Sequence, residues 1–124
     1  MSHRILVVDD EPNIVISLEF LLKKEGYVVA VAGDGEAALQ QAGQFLPDLV
    51  LLDVMMPKKS GFEVCETLRA NPALAGVKIV MLTARGRETE VTKGLALGAD
   101  AYMTKPFSTR ELVQKVRSML EAAP

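Results

Sequence analysis

Five short apolar runs alternate along the whole chain with longer stretches in which apolar residues recur every three or four positions. The short runs are rich in leucine and β-branched residues, and the middle ones lack the polar alternation of half-exposed strands. Such alternation is typical of a mostly parallel sheet covered by helices. The sequence therefore predicts an α/β domain with five helices and five parallel strands, at residues 5–8, 27–32, 49–52, 79–82 and 101–104.

Residues that favour helix ends punctuate the longer stretches. Proline suits a first helical turn, glycine closes a helix in the left-handed conformation, and a short polar residue caps the start. A Ser followed three positions later by Glu is the spacing of a capping box. We expect a first-turn proline at Pro12, an N-cap at Asp34, helix ends at Gly26, Pro47 and Gly98, and a capping box at Ser108 and Glu111.

Length and composition favour one soluble domain, residues 1–124. No apolar stretch approaches the ~18 residues of a membrane helix, and the start resembles no secretory signal, so we expect a cytoplasmic protein without membrane contact. The net charge of −2 offers no general attraction to nucleic acid. One cysteine, Cys65, and one histidine, His3, cannot form a four-ligand zinc centre. We expect Cys65 to be a buried apolar side chain.

Polar side chains follow four of the five predicted strands, at the point where each apolar run ends. Asp9 and Asp10 follow the first run, Asp53 the third, Thr83 the fourth and Lys105 the fifth. The carboxyl ends of parallel strands meet at one edge of a sheet, where open α/β folds bind ligands, so we expect these side chains to converge. The second strand has no such residue. This favours an edge position for it and the doubly wound, flavodoxin-like order 2-1-3-4-5.

The chemistry of this set is that of a phosphoryl site. Neighbouring carboxylates repel unless a cation compensates them, and oxygen ligands favour Mg²⁺. Asp53 is the candidate nucleophile, because an aspartate can accept a phosphoryl group as an acyl phosphate. The ammonium of Lys105 would neutralise one phosphoryl oxygen, while the Thr83 hydroxyl and the Ala84 backbone N–H would donate hydrogen bonds to the others.

The same residues belong to a pattern that resembles the receiver domain of two-component response regulators over about the whole chain. By this resemblance Asp53 accepts a phosphoryl group from a phosphohistidine on a sensor kinase. The resemblance implies that Asp10, Asp53 and the Met55 carbonyl bind Mg²⁺ directly, that Asp9 acts through water, and that the Lys105 to Pro106 bond is cis. The pattern reads Ile-Leu-Val-Val-Asp-Asp-Glu at 5–11, Leu-Leu-Asp-Val-Met-Met-Pro at 51–57, Gly-Phe-Glu at 61–63, Met-Leu-Thr-Ala-Arg at 81–85, Gly-Leu-Ala-Leu-Gly-Ala-Asp-Ala-Tyr at 94–102 and Lys-Pro-Phe at 105–107.

The resemblance also implies a switch and its partners. In receivers the hydroxyl matching Thr83 moves toward the phosphoryl group and the ring matching Tyr102 turns inward, which changes the face of the fourth helix, fifth strand and fifth helix. The implied partners are a sensor histidine kinase or phosphotransfer protein and a downstream effector protein or domain. In many DNA-binding members, tandem acids and an Arg form intersubunit ion pairs; here Ala101 follows Asp100 and Lys115 replaces the Arg. We therefore expect a monomer or a weak phosphorylation-dependent dimer, without direct nucleic-acid binding.

Three other interpretations are open to the sequence. Residues 33–38 fit a relaxed Gly-x-Gly-x-x-Ala dinucleotide fingerprint, although Asp34 and Glu36 place negative charge where a pyrophosphate would lie. A phosphatase with an aspartate nucleophile would need a general acid two residues after Asp53, where Met55 stands. The third is an interaction module that never takes phosphate. We therefore expect a phosphoacceptor signalling domain that catalyses its own phosphotransfer and slow dephosphorylation, rather than an enzyme with an external substrate.

Overall fold

A computed structural model describes residues 3–56, 59–74, 76–84 and 88–121. Pro57 and Arg85 of the sequence pattern lie outside these ranges. The strands are β1 (Arg4–Val8), β2 (Val28–Ala32), β3 (Leu49–Asp53), β4 (Lys78–Ala84) and β5 (Ala101–Lys105). The helices are α1 (Pro12–Lys24), α2 (Gly35–Phe45), α3 (Gly61–Ala70), α4 (Glu88–Ala96) and α5 (Thr109–Glu121).

The strands form one parallel sheet in the order β2-β1-β3-β4-β5, which confirms the predicted topology. β1 and β3 are neighbours at the point where the strand order reverses, with Val8 beside Leu52. Three strands run further than their apolar runs. Asp53, Ala84 and Lys105 are therefore the last residues of strands, and Thr83 the residue before the last, rather than the first residues of loops. Their backbones are held by the sheet.

The two faces of the sheet bury two separate cores. Odd-numbered positions of β1 and β3, such as Ile5 and Leu51, pack with Leu18 of α1 and Leu112 of α5. Even-numbered positions of β1 and β3 pack against the other layer, which is formed by α2, α3 and the region that follows α4. Cys65 is fully buried in this second core, as predicted. Both faces of the central strands are covered, which explains their continuous apolar sequences.

Local signals account for most helix ends. Gly26 and Gly98 have φ values of 94° and 112°, in the left-handed region that glycine tolerates. The Asp34 carboxylate accepts a hydrogen bond from Ala37 N at 2.8 Å, so the predicted N-cap of α2 is confirmed. That helix ends before Pro47, because Leu46 takes a left-handed conformation with φ 52°.

Capping boxes begin two helices. The box predicted at the start of α5 is present, since Ser108 and Glu111 exchange side-chain and backbone hydrogen bonds. Ser60 and Glu63 form the same arrangement at the start of α3, which the sequence also signals but which was not among the predictions. In the described part of the chain, no helix combines the length and apolarity needed to cross a membrane.

Candidate functional site

Side chains at the carboxyl edge of the sheet converge because of strand register and parity. Asp53 ends β3, Lys105 ends β5, and Asp9 follows β1, where its backbone N–H donates to Ala32 O at 3.2 Å. All three numbers are odd, so these side chains continue the row that faces α1 and α5. The sheet thereby brings together residues that are up to 96 positions apart.

Lys105 lies at the centre of the acidic cluster. Its ammonium donates to Asp9 Oδ2 at 2.7 Å and to Asp53 Oδ1 at 3.3 Å, and Glu11 Oε1 lies 3.7 Å away. Asp9 is fully buried and Asp53 is only 7% exposed. The backbone N–H of Glu11 donates to the other oxygen of Asp9 at 3.0 Å, which fixes the orientation of that carboxylate. The two aspartates therefore lie in a largely buried pocket beside the Lys105 ammonium.

The pKa values of Asp53 and Lys105 reflect burial and the charges of their neighbours. Burial and the nearby Asp9 carboxylate raise the pKa of Asp53 to about 6, although Lys105 partly offsets the effect. Burial alone would lower the pKa of Lys105, but its hydrogen bond to Asp9 and the charges of Asp53 and Asp9 raise it. Lys105 therefore stays charged at neutral pH.

The donor set fits a hard divalent cation. One carboxylate oxygen from each of Asp9, Asp10 and Asp53 lies within 4.8 Å of the others. Asp10 is exposed, whereas Asp9 and Asp53 are buried, so a cation could reach the site from solvent. Oxygen-only ligands of this kind suit Mg²⁺ better than softer metals. Burial first and the Asp9 charge second raise the pKa of Asp53, and a bound cation would favour its ionised form.

The remaining predicted site residues lie at the end of β4 and on the loop after β3. Thr83 is buried near the end of β4, one position beyond Leu82, which pairs with Asp53. Ala84, the last residue of β4, pairs with Lys105. Met55 is 65% exposed on the loop after Asp53. The bond between Lys105 and Pro106 is cis, as the resemblance implies.

Tyr102 lies beside this site on the opposite face of the sheet from Asp53. It pairs with Met81 on β4, and Thr83 pairs with Thr104, so Thr83 and Tyr102 share one face on neighbouring strands. The Tyr102 ring is 44% exposed and therefore points outward in this structure. Thr83 and Tyr102 are therefore diagonal neighbours on this face of the sheet.

Two contributors to the site were not assigned a role from the sequence, although both fall within the quoted motifs. Glu11 approaches Lys105 and orients Asp9. Gly61 packs against the end of β3: its N–H donates to Val54 O at 2.9 Å, and an added Cβ would collide with the Asp53 carbonyl oxygen. The glycine lets α3 begin directly beneath the candidate nucleophile.

The dinucleotide fingerprint has a structural explanation. It follows β2, the edge strand, rather than a strand at the switch point. The Asp34 carboxylate already occupies the helix N-terminus where a pyrophosphate would bind. Gly35 lies against the Lys59 backbone, so its lack of a side chain serves packing. The fold therefore gives the nucleotide-binding interpretation no support.

Comparison with known proteins agrees with the geometry. The sequence model of the family described as response regulator receiver domain matches residues 5–117. The alkaline phosphatase synthesis transcriptional regulatory protein PhoP of Bacillus subtilis is 50% identical over 120 residues, which are 97% of this chain and 49% of that protein. The DNA-binding response regulator MtrA of Mycolicibacterium smegmatis is 49% identical over 120 residues, 97% of this chain and 51% of that protein.

Solved structures show the same fold. The chemotaxis response regulator CheY4 of Vibrio cholerae has a TM-score of 0.91 at 30% identity, covering 96% of this chain and 99% of that one. A CheY-like receiver domain protein of Methanospirillum hungatei has a TM-score of 0.91 at 31% identity, covering 98% and 95%. The present chain spans about half the length of PhoP and MtrA. It belongs to the receiver domains of two-component response regulators, which are phosphorylation-activated switches.

Proposed function

We propose that Asp53 is the phosphoacceptor and takes its phosphoryl group from a phosphohistidine on a sensor histidine kinase or phosphotransfer protein. The observation that carries this proposal is the convergence of Asp9, Asp53 and Lys105 at the carboxyl edge of the sheet. The family to which the chain belongs supports the same role.

Transfer requires little chemistry beyond position and charge. A carboxylate oxygen of Asp53 forms a bond to phosphorus as the bond between phosphorus and the donor imidazole nitrogen breaks. The bonding pair stays on that nitrogen. Lys105 neutralises a phosphoryl oxygen, and the Thr83 hydroxyl and Ala84 N–H donate hydrogen bonds to the others. The domain thus catalyses its own phosphorylation, and Met55 offers no general base that could activate water against the acyl phosphate, in line with slow dephosphorylation.

Magnesium is the cofactor we propose for this site. Asp10, Asp53 and the Met55 carbonyl would hold the ion, with Asp9 acting through water. When bound, Mg²⁺ supplies positive charge that offsets the negative charge of the acids and of the phosphoryl oxygens. The cluster of three carboxylates and the raised pKa of Asp53 support this assignment.

The output is a change at the surface around Tyr102. Engagement of the Thr83 hydroxyl by the phosphoryl group would vacate space on the face that Thr83 and Tyr102 share, and the exposed ring would turn into it. A shallow groove beside the ring is lined by Met103, Glu111 and Lys115. We propose that a downstream effector, as a separate protein or as a domain of the same protein, reads this surface in the cytoplasm. The domain itself contacts no nucleic acid and is a monomer or a weak phosphorylation-dependent dimer.

Phosphorylation without a kinase tests the assignment. Incubation with phosphoramidate and Mg²⁺ should add one phosphoryl group to the wild-type protein, as measured by intact mass. Asp53→Asn should gain none, because an amide cannot form the acyl phosphate. Lys105→Ala should keep the fold but transfer at least about tenfold more slowly, and Thr83→Ala should take the group but change less around Tyr102. An equal mass gain in Asp53→Asn would move the acceptor to another residue.

A further inference from the structure

Arg69, in the last turn of α3, joins this helix to the residue before β4 and to the segment between α4 and β5. These contacts lie at the amino-terminal ends of the strands, away from Asp53. Its Nε donates to Gly98 O at 2.8 Å, one terminal nitrogen to Val77 O at 2.6 Å, and the other to Asp100 Oδ2 at 2.6 Å. The Arg69 side chain is 21% exposed and that of Asp100 30%. A planar guanidinium suits this geometry, because it presents several donors in fixed directions.

Asp100 is bound to β4 as well as to Arg69. Its Oδ2 accepts from Ile79 N at 2.7 Å, and its own N–H donates to Ile79 O at 2.8 Å. The start of β5 is therefore fixed against the start of β4. Tyr102, two residues later, extends from this fixed point.

One stripe of α3 contacts the carboxyl-terminal half of α4 and the turn after it. Phe62 lies beneath the Lys93 ammonium, with 4.5 Å between the nitrogen and the ring centre. The Cys65 thiol is 3.6 Å from Leu97 O, and Arg69 reaches Gly98 O. Because α3 places positions 62, 65 and 69 on one face, these contacts follow the axis of α4 toward its end.

Side chains of α4 itself provide little packing. Gly94 is the buried residue of α4, whereas α3 buries Gly61, Val64, Cys65 and Leu68. A lightly packed helix with one end fixed moves most easily about that end. The left-handed Gly98 is the natural pivot, and a Cβ there would lie 2.8 Å from Arg69 Cγ.

We propose that Arg69 and Asp100 form a clamp that anchors the carboxyl-terminal end of α4 and the start of β5, so that Arg69 is a positioning residue for the switch. The clamp confines movement to the end of α4 nearer the phosphoryl site and transmits it to Tyr102. This inference rests on the proposed function, but Arg69 takes no part in phosphoryl transfer. Asp100 is hydrogen-bonded to Ile79, which lies four residues, or about 13 Å, along β4 from Thr83.

Hydrogen exchange in the free protein tests the anchoring. Arg69→Met keeps the apolar stem and removes the charged donors. Amides of residues 97–100 should then exchange about tenfold faster, as expected for the loss of hydrogen bonds from a charged group, while β1 and α1 keep their protection. Arg117→Met is the matched control, because Arg117 forms an exposed ion pair with Glu25. It should leave exchange at 97–100 unchanged.

Beryllofluoride, a phosphoryl analogue, tests the coupling. Arg69→Met should bind it with an affinity within about twofold of wild type, while the NMR shift change at Tyr102 on binding falls to about half or less. Arg117→Met should give the full wild-type response. If Arg69→Met does not fold, Asp100→Asn serves instead, because it keeps an oxygen for Ile79 N but loses the charge.

Three results would overturn the clamp: unchanged exchange at 97–100, a full Tyr102 response, or faster exchange spread evenly over the molecule. The last would mean general destabilisation. A wild-type protein that takes neither phosphoryl group nor beryllofluoride would defeat the proposed function and the coupling together. The exchange comparison in the free protein would still decide whether the anchoring exists.

Discussion

At the scale of single residues, the main tension in the molecule is the charge of Asp53. Burial and Asp9 raise its pKa from 3.8 to about 6. Between these values the folded protein binds more protons than the unfolded chain, so the free energy of unfolding falls as pH rises through this window. At about 1.4 kcal/mol per pH unit of pKa difference, the ionised carboxylate costs the folded state up to about 3 kcal/mol at neutral pH.

We therefore expect Asp53→Asn to be more stable than wild type by about 1 to 3 kcal/mol near neutral pH without divalent ions. The amide keeps the shape of the carboxylate and removes its charge. Urea unfolding in a chelator between about pH 4 and 7 measures the difference, which should shrink toward acid pH. The matched control is Glu66→Gln on the exposed face of α3, which should change little. An Asn variant less stable than wild type at neutral pH would mean that the Asp53 charge is fully compensated.

Residue-level prediction succeeded where a side chain lies in a strand and failed where its partners are backbone groups of loops. Asp9, Asp53 and Lys105 could be placed together because apolar runs mark strand ends and the carboxyl ends of parallel strands meet at one edge of the sheet. Arg69 could not. Its partners lie 8, 29 and 31 positions away, two of them carbonyls, and a carbonyl has no side-chain identity that a sequence could reveal.

At the scale of elements, the junction between β3 and α3 controls the position of Asp53. Gly61 begins α3 against the Asp53 carbonyl, and an added methyl group would collide with it. We expect Gly61→Ala to destabilise the fold by about 1 to 3 kcal/mol, as overpacking does, and to slow phosphorylation of Asp53 by displacing it. Chemical denaturation and the phosphoramidate reaction measure the two effects.

The control for this junction is Gly43→Ala, in α2. Nothing lies within 4 Å of a Cβ at Gly43, and the residue is exposed. There, alanine should stabilise the helix by about 0.5 to 1 kcal/mol and leave phosphorylation unchanged. If both variants behaved alike, the close approach at Gly61 would have no consequence for the site.

At the scale of the whole molecule, the order of strands was predictable from which strands end in candidate site residues. The second strand carries no site residue and lies at the edge, while β1 and β3, which supply the acids, are central neighbours. The same reasoning could not locate the clamp of Arg69 and Asp100, which lies at the amino-terminal ends of β4 and β5. Segments there are joined by a side chain of α3 rather than by strand ends. The apolar pattern of α3 predicts which side of the helix is buried but not which groups Arg69 contacts.

Because the acids come from two strands, cation binding should stabilise the whole fold. Asp9 and Asp10 follow β1 and Asp53 ends β3, so the unfolded chain does not hold their oxygens within 4.8 Å of one another. A ligand that binds only the folded state adds about 1.4 kcal/mol for each tenfold rise in its concentration above the dissociation constant.

We expect this dependence for wild type and Glu66→Gln in Mg²⁺ titrations at constant ionic strength. Asp10→Asn should show a much weaker dependence, because it loses a charged ligand without disturbing the contacts of Lys105 with Asp9 and Asp53. Equal stabilisation of Asp10→Asn would place the ion elsewhere, and no stabilisation of wild type would argue against a cation at these acids in the resting protein.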